Sequence, residues 1–224
     1  MHGRNFRVTV FQHASSEPLG YLEEVFCEHD ISFECQYLWE TNEALALDAT
    51  HLLFLGGPMS VNDEAEFPWL AQEKELITRA VKKNVPVLGL CLGAQLIAAA
   101  HGAKVYRFID ETGWFPVHRM PEADRVFSTF PESFFVFQMH GETFEVPYGG
   151  RLLCTGDLVR NQAFRLKSAT GLQFHLEMTG ALISDWTKDL RLSLREKILR
   201  DSPRYLKVSN RLCERVAEEF LFRK

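Results

Sequence analysis

Cys91 stands in the run Gly89, Leu90, Cys91, Leu92, Gly93, directly after the apolar stretch Val85 to Leu90 and just before Gln95 to Ala100. The stretch reads as a buried strand and the residues beyond it as the start of a helix, so the thiol falls at a sharp strand-to-helix turn that presents its middle side chain to solvent. The two glycines tolerate a tight backbone. The amide N–H groups that open a helix favour a thiolate and can hold a developing oxyanion. Cys91 is therefore the candidate nucleophile, and the N–H of Leu92 a candidate oxyanion donor. With 14 glycines in 224 residues and 5 cysteines, such flanking arises by accident about once in 50 chains. The competing reading is a buried cysteine at an ordinary strand–helix junction.

A cysteine nucleophile needs a base to take its proton and a third group to orient that base. Two histidines are followed by a carboxylate at i+2: His140 with Glu142, after Phe134 to Met139, and His175 with Glu177, after Gly171 to Phe174. Both pairs lie at strand ends, where the sites of open α/β sheets gather. In an extended segment residues i and i+2 share a side, so Glu177 can hold the tautomer of His175. Glu142 follows Gly141 in what reads as a loop, which makes His175 the preferred base, though spacing alone leaves both open. The loop Gly56, Gly57, Pro58, Met59, Ser60 ends a strand expected near Cys91. Its N–H groups and that of Leu92 could form an oxyanion hole, each donor being worth about 3 kcal/mol in the transition state. A plain strand-ending turn is the alternative.

The elements that must position these groups follow from periodicity. Phe6 to Phe11 reads as a strand, followed after Pro18 by Leu19, Leu22, Val25 and Phe26 at helical spacing. Strands are predicted at Ser32 to Leu38, His51 to Leu55 and Val85 to Leu90, with a helix over Glu66 to Asn84. Strands alternating with helices imply an open, mostly parallel sheet with helices on both faces. Short strand-like runs at Ala103 to Phe108, Trp114 to His118, Phe134 to Met139, Arg151 to Thr155, Ala163 to Leu166 and Gly171 to His175 suggest hairpins extending that sheet. The tail from Ala181 reads as two amphipathic helices packing on their own sheet rather than on a partner. Ile183, Trp186, Leu190, Leu194 and Ile198 mark the first, Ser202 and Pro203 a helix start, and Val208, Leu212, Val216 and Phe220 the second. No linker or internal repeat divides the chain, which reads as a single domain over 1–224 with a core of about 6–179 and a helical segment at 180–224.

Composition excludes several functions. Five scattered cysteines without CxxC spacing argue for reduced thiols and against a zinc site, and no HExxH pattern occurs among the 8 histidines. A lone histidine here is more often structural than a ligand. A net charge of −5 without a Lys/Arg run makes nucleic acid an improbable partner. The stretch MHGRNFRVTVFQH has no signal-peptide core and no run is long enough to cross a membrane, so a soluble cytoplasmic protein without metal or cofactor is expected.

Taken together, GGPMS at 56–60, GLCLGAQL at 89–96 and QFHLEMT at 173–179 resemble the class I (triad) glutamine amidotransferases. PWLAQE at 68–73, ETGWFPV at 111–117, FQMHGETFEVP at 137–147 and NQAFR at 161–165 are similar to the stand-alone, GMP-synthase-like branch. The resemblance runs from about Phe6 to Thr179. It implies a flavodoxin-like fold in which Cys91, His175 and Glu177 form a triad, Gly57 and Leu92 hold the oxyanion, and Gln95 lies in a glutamine pocket. It also implies a substrate-binding role for His140 and Gly141. The implied reaction releases ammonia from glutamine through a glutamyl thioester, for a separate acceptor enzyme or for solvent. The family usually has proline between the catalytic histidine and glutamate, where this chain has Leu176, and no ATP-binding GxxxxGK[ST] loop is present. Hydrolysis of other γ-glutamyl amides, and a non-catalytic binding or regulatory role, are the competing functions.

Overall fold

The structure, a computed structural model, describes residues 6–40, 47–121 and 125–223. Residues 1–5, part of the stretch that lacks a signal-peptide core, lie outside the described residues. The first half of the chain runs β1 (Val8–Gln12), α1 (Tyr21–Glu28), β2 (Phe33–Tyr37), β3 (His51–Phe54), α2 (Trp69–Lys82), β4 (Val87–Leu90) and α3 (Leu92–Ala100). The second half runs β5 (Val105–Arg119), β6 (Ser133–Phe144), β7 (Arg151–Gly156), β8 (Ala163–Leu166), β9 (Ala169–Leu172), α4 (Gly180–Trp186) and α5 (Leu192–Phe222). The strands form one nine-stranded sheet in the order β2-β1-β3-β4-β9-β8-β7-β5-β6. Pairing is parallel from β2 to β9 and antiparallel from β9 to β6.

Alternation along the parallel strands assigns each side chain to one of two cores. Leu53, Leu55, Leu88 and Leu90 face the core closed by Leu22, Val25 and Phe26 of α1 and by Leu212, Val216 and Phe220 of α5. Leu52, Phe54 and Val87 face the other, closed by Leu70, Leu76 and Ile77 of α2 and Leu96 and Ile97 of α3. Burial on both faces is why these strands are continuous apolar runs rather than alternating ones. Among the described residues, no helix is long and apolar enough to cross a membrane.

Three sequence expectations are corrected. The runs Ala103 to Phe108 and Trp114 to His118 belong to the single strand β5, which is irregular between Arg107 and Glu111 and carries Gly113 at φ 109°. Its antiparallel pairing with β6 carries the ladder across a stretch whose local propensity reads as a break. That pairing also places His140, Gly141 and Glu142 inside β6, not in a loop. Finally, the tail breaks between Trp186 and Leu192, and α5 runs unbroken through Ser202 and Pro203.

Packing of α5 at both ends explains why it continues through a proline. Its first half lays Ile198, with Leu194, Leu199 and Tyr205, on Trp114 and Phe137 of the β5–β6 ribbon, while its second half closes the α1 core. Ser202 is buried between these halves, where its hydroxyl accepts from Trp114 Nε1 at 3.0 Å and donates to the Ile198 carbonyl at 2.7 Å. Val208, read as part of the apolar stripe, is exposed. Pro203 lacks the N–H that would reach the carbonyl of Leu199, a defect typically costing about 3 kcal/mol in a helix interior. Pro203→Ala is therefore expected to raise the stability measured by chemical denaturation, by up to about 3 kcal/mol; a loss would show that the helix requires the proline's geometry.

Candidate active site

Cys91 joins β4 to α3 with φ 49° and ψ −103°, a region non-glycine residues rarely enter. The flanking glycines make the turn sterically feasible. A Cβ on Gly89 would strike the backbone of Gly93, and one on Gly93 would strike the carbonyl of Phe54. The turn is tied on both sides: the Cys91 N–H donates to the Leu172 carbonyl at 2.7 Å and the Gly93 N–H to that of Leu55 at 3.1 Å. These bonds leave the first amides of α3, Leu92 among them, at a helix N-terminus. The expectation of a solvent-presented side chain is corrected. Cys91 is only 7% exposed, because Gln173 and His175 close over it. Gln173 Nε2 lies 3.7 Å from the sulfur, and the His175 ring lies close enough to interact with the thiol.

His175 and Glu177 lie just past β9. The His175 N–H donates to the Phe137 carbonyl at 2.9 Å in an isolated bridge, and Trp186 of α4 packs edge-on against the ring at 4.9 Å. His175 Nδ1 and Glu177 Oε1 are 2.6 Å apart, both side chains almost fully buried. Leu176, in the position the family usually fills with proline, is buried in the α1–α5 core beside Leu22, Leu90 and Val216. That apolar anchor holds its two neighbours on the opposite side. The backbone of Glu177 is held by α1: the Tyr21 N–H donates to the Glu177 carbonyl at 2.8 Å, and Gly20, at φ 57°, is the residue whose missing Cβ lets that carbonyl approach.

Burial disfavours a charged His175. The Glu177 carboxylate, its hydrogen bond to the ring and the neighbouring Cys91 side chain outweigh it and hold the imidazole well above its ordinary value of 6.5.

The competing pair is arranged differently. His140 Nε2 meets Glu111 Oε2 at 3.1 Å and Nδ1 meets the backbone carbonyl of Glu142 at 3.0 Å. The Glu142 carboxylate accepts instead from the Ser60 hydroxyl at 3.1 Å, so His140 and Glu142 make no side-chain dyad. Their segment is nonetheless tied to the nucleophile. Gln95 Nε2 lies 3.3 Å from the Glu142 carbonyl and 3.4 Å from Gln173 Oε1, which links β6 to the residue that touches Cys91. Gly141 is packed against the Arg107 guanidinium and the Asp110 carboxylate. Gly57 sits on the elbow, since a Cβ there would come within 2.7 Å of Leu92 Cδ2.

Several polar residues of the site carry no local sequence signal. Gln173 belongs to the QFHLEMT run, but nothing in its type or spacing marks it as a neighbour of the thiol. Glu111 is also held by Gln162 Nε2 at 3.0 Å, a pairing across 51 residues. Glu17, on the loop after β1, packs its carboxylate over Gly56 beside His175. Burial raises its affinity for a proton above the usual carboxylate range, opposed by the charges of His175 and His13 and aided by that of Glu177. Among the described residues, no cluster of three His, Cys, Asp or Glu side chains is arranged to hold a metal ion.

An open α/β sheet with a cysteine at a strand–helix elbow, beside a buried His–Glu pair, defines the class of protein. The family described as glutamine amidotransferase class-I matches residues 20–184, and the chain belongs to that family. It is 31% identical over 134 residues to a subunit of the glutamine-hydrolyzing GMP synthase of Picrophilus torridus, covering 58% of this chain and 69% of that one. It is 34% identical over 140 residues to the glutamine-hydrolyzing GMP synthase of Listeria monocytogenes, covering 61% of this chain and 26% of that one. The match thus spans about a quarter of the Listeria protein's length. A glutamine amidotransferase from Thermotoga maritima superposes with a TM-score of 0.89 at 31% identity, over 98% of this chain and 100% of that one. One from Methylobacillus flagellatus does so at 0.88 and 28% identity, over 97% and 95%.

The electrostatics of the site are directly measurable. A histidine held above its unfolded value contributes stability that is fully present below pH 6.5 and is lost as pH rises through the folded-state value. An NMR titration of the His175 ring is expected to give a midpoint well above 6.5, and Glu177→Gln to bring it down. A midpoint at or below 6.5 in the unaltered protein contradicts this balance of charges.

Proposed function

We propose that this class I glutamine amidotransferase hydrolyses the side-chain amide of glutamine through a thioester on Cys91. The observation that carries the proposal is the grouping of Glu177, His175 and Cys91, with Glu177 Oε1 2.6 Å from His175 Nδ1 and the ring beside the thiol at the N-terminus of α3. Cys91 Sγ attacks the amide carbon and its proton passes to His175. The oxyanion of the tetrahedral adduct is held by the N–H groups of Gly57 and Leu92. Collapse breaks the C–N bond, and the leaving nitrogen takes the proton from His175 and departs as ammonia. Water then attacks the thioester, giving up a proton to His175, and the C–S bond breaks to release glutamate and restore the thiol. Glu177 keeps the imidazole in its tautomer and orientation throughout.

Gln95, His140 and Gly141 are assigned to the glutamine pocket, with Glu111 pinning the His140 ring. Free glutamate is one product; the other passes to an acceptor. The Picrophilus relative is named as one subunit of its enzyme, which supports a separate, synthetase-type partner as that acceptor. Five cysteines, none of them in a disulfide, accord with action in the cytoplasm.

Glutamate release by purified protein tests the reading. Cys91→Ala is expected to lower kcat for glutamine by about 10³-fold or more. Equal rates in the two proteins would remove Cys91 from the reaction.

A further inference from the structure

Beneath the Gly56–Ser60 loop lies a buried ion pair that the steps above do not use. His13, at the end of β1, directs Nδ1 to the Gly56 carbonyl at 2.9 Å and Nε2 to Glu73 Oε1 of α2 at 2.9 Å, and both side chains are 0% exposed. Trp69 stacks on the imidazole at 5.4 Å, with the two ring planes 26° apart. Both ring nitrogens therefore face acceptors. Burial opposes the charged ring, but the Glu73 carboxylate, its hydrogen bond, the Gly56 carbonyl and the charge of Glu17 outweigh it and raise the affinity of His13 for a proton above the ordinary imidazole value.

A buried ion pair is a weak source of stability, since an apolar pair of the same volume often serves as well. Its placement points to another role. The acceptor of His13 is the carbonyl of the one peptide whose N–H belongs to Gly57. That peptide is planar and trans, so its C=O and N–H point in opposite directions. Fixing the carbonyl towards His13 on one side fixes the N–H away from it on the other, while Leu92 of the elbow packs against the Gly57 α-carbon. The His13 Cβ itself fills the space at 2.9 Å where a Gly57 side chain would go. A ring N–H donating to the carbonyl also polarises the amide and strengthens its N–H as a donor.

We propose that His13, held by Glu73, is a positioning residue for the oxyanion hole: it clamps the Gly56–Gly57 peptide so that the Gly57 N–H faces the oxyanion formed at Cys91. This rests on the assignment of Gly57 as an oxyanion donor made above.

Two near-isosteric variants of the full chain separate the clamp from mere packing. The amide nitrogen of Asn overlays the position of histidine Nδ1, whereas that of Gln overlays Nε2. His13→Asn can still donate to the Gly56 carbonyl. His13→Gln can still meet Glu73 but leaves that carbonyl unheld. His13→Gln is expected to lose about 10²-fold in kcat for glutamine with KM nearly unchanged, the loss typical of one oxyanion donor, and His13→Asn to stay within about tenfold of the unaltered protein. Alkylation of Cys91 by iodoacetamide, which develops no oxyanion, is expected to proceed at similar rates in all three. A His13→Gln kcat equal to that of His13→Asn, or a loss seen equally in alkylation, overturns the clamp. Glu73→Gln keeps the side-chain shape and removes the charge; a fall in kcat supports the proposal, and an unchanged kcat contradicts it.

The backbone NMR signals of the Gly56 carbonyl and the Gly57 amide read the peptide independently of turnover. They are expected to shift in His13→Gln and to stay near their original positions in His13→Asn. Such shifts in a protein that releases no Cys91-dependent glutamate would refute the glutaminase reading and leave the clamp standing. Normal hydrolysis with signals indifferent to His13 would refute the clamp alone.

Discussion

The structure turns on a backbone that non-glycine residues seldom adopt. Cys91 sits at φ 49°, and its neighbours must come close enough for β4, the elbow and the end of β3 to touch through main-chain atoms. Gly89 and Gly93 are there because any side chain would intersect that contact. Such strain persists only when the surroundings over-determine it. Here they do: parallel neighbours on both sides supply hydrogen bonds, from the carbonyl of Leu172 in β9 and from that of Leu55 beyond β3. The same parallel pairing brings the segment after β9 alongside the elbow, which is how His175 reaches a residue 84 positions earlier in the chain.

Around that point acids and bases alternate. Glu73, His13, Glu17, His175 and Glu177 follow one another as carboxyl and imidazole in turn, and most of them are buried. In a low-dielectric interior each would be costly alone, and each is tolerated because its neighbour is of opposite sign or a hydrogen-bonding backbone group. The arrangement raises the proton affinity of two imidazoles, one directed at the Gly56 carbonyl and one beside Gly56. A site built to receive developing negative charge on an oxygen would be organised in this way.

The legible part of this molecule was the local part. Two glycines spaced around Cys91, apolar runs of strand length and an i, i+2 His–Glu pair are all visible within a few residues, and the fold class and the elbow follow from them. Long-range pairing was not visible. β5 spans residues that look like two strands and a turn because β6 supplies the ladder, and the same ladder straightens His140 to Glu142. α5 passes through Pro203 because packing on the β5–β6 ribbon and on α1 holds both halves. His13 looked like any lone histidine, since its partner Glu73 is 60 residues away. The burial of Cys91 was missed for a related reason: its cover, Gln173 and His175, follows β9, next to β4 in the sheet but far away along the chain.

The central claim is that a covalent bond forms between substrate and one sulfur. Rapid acid quench during turnover with glutamine, followed by intact mass and peptide mapping, tests it most directly. The account predicts that a fraction of the protein carries one added glutamyl group, located on the peptide containing Cys91 and removed by hydroxylamine as a thioester is. Turnover that leaves the protein mass unchanged under conditions that trap thioesters, or an adduct on any other residue, would contradict it.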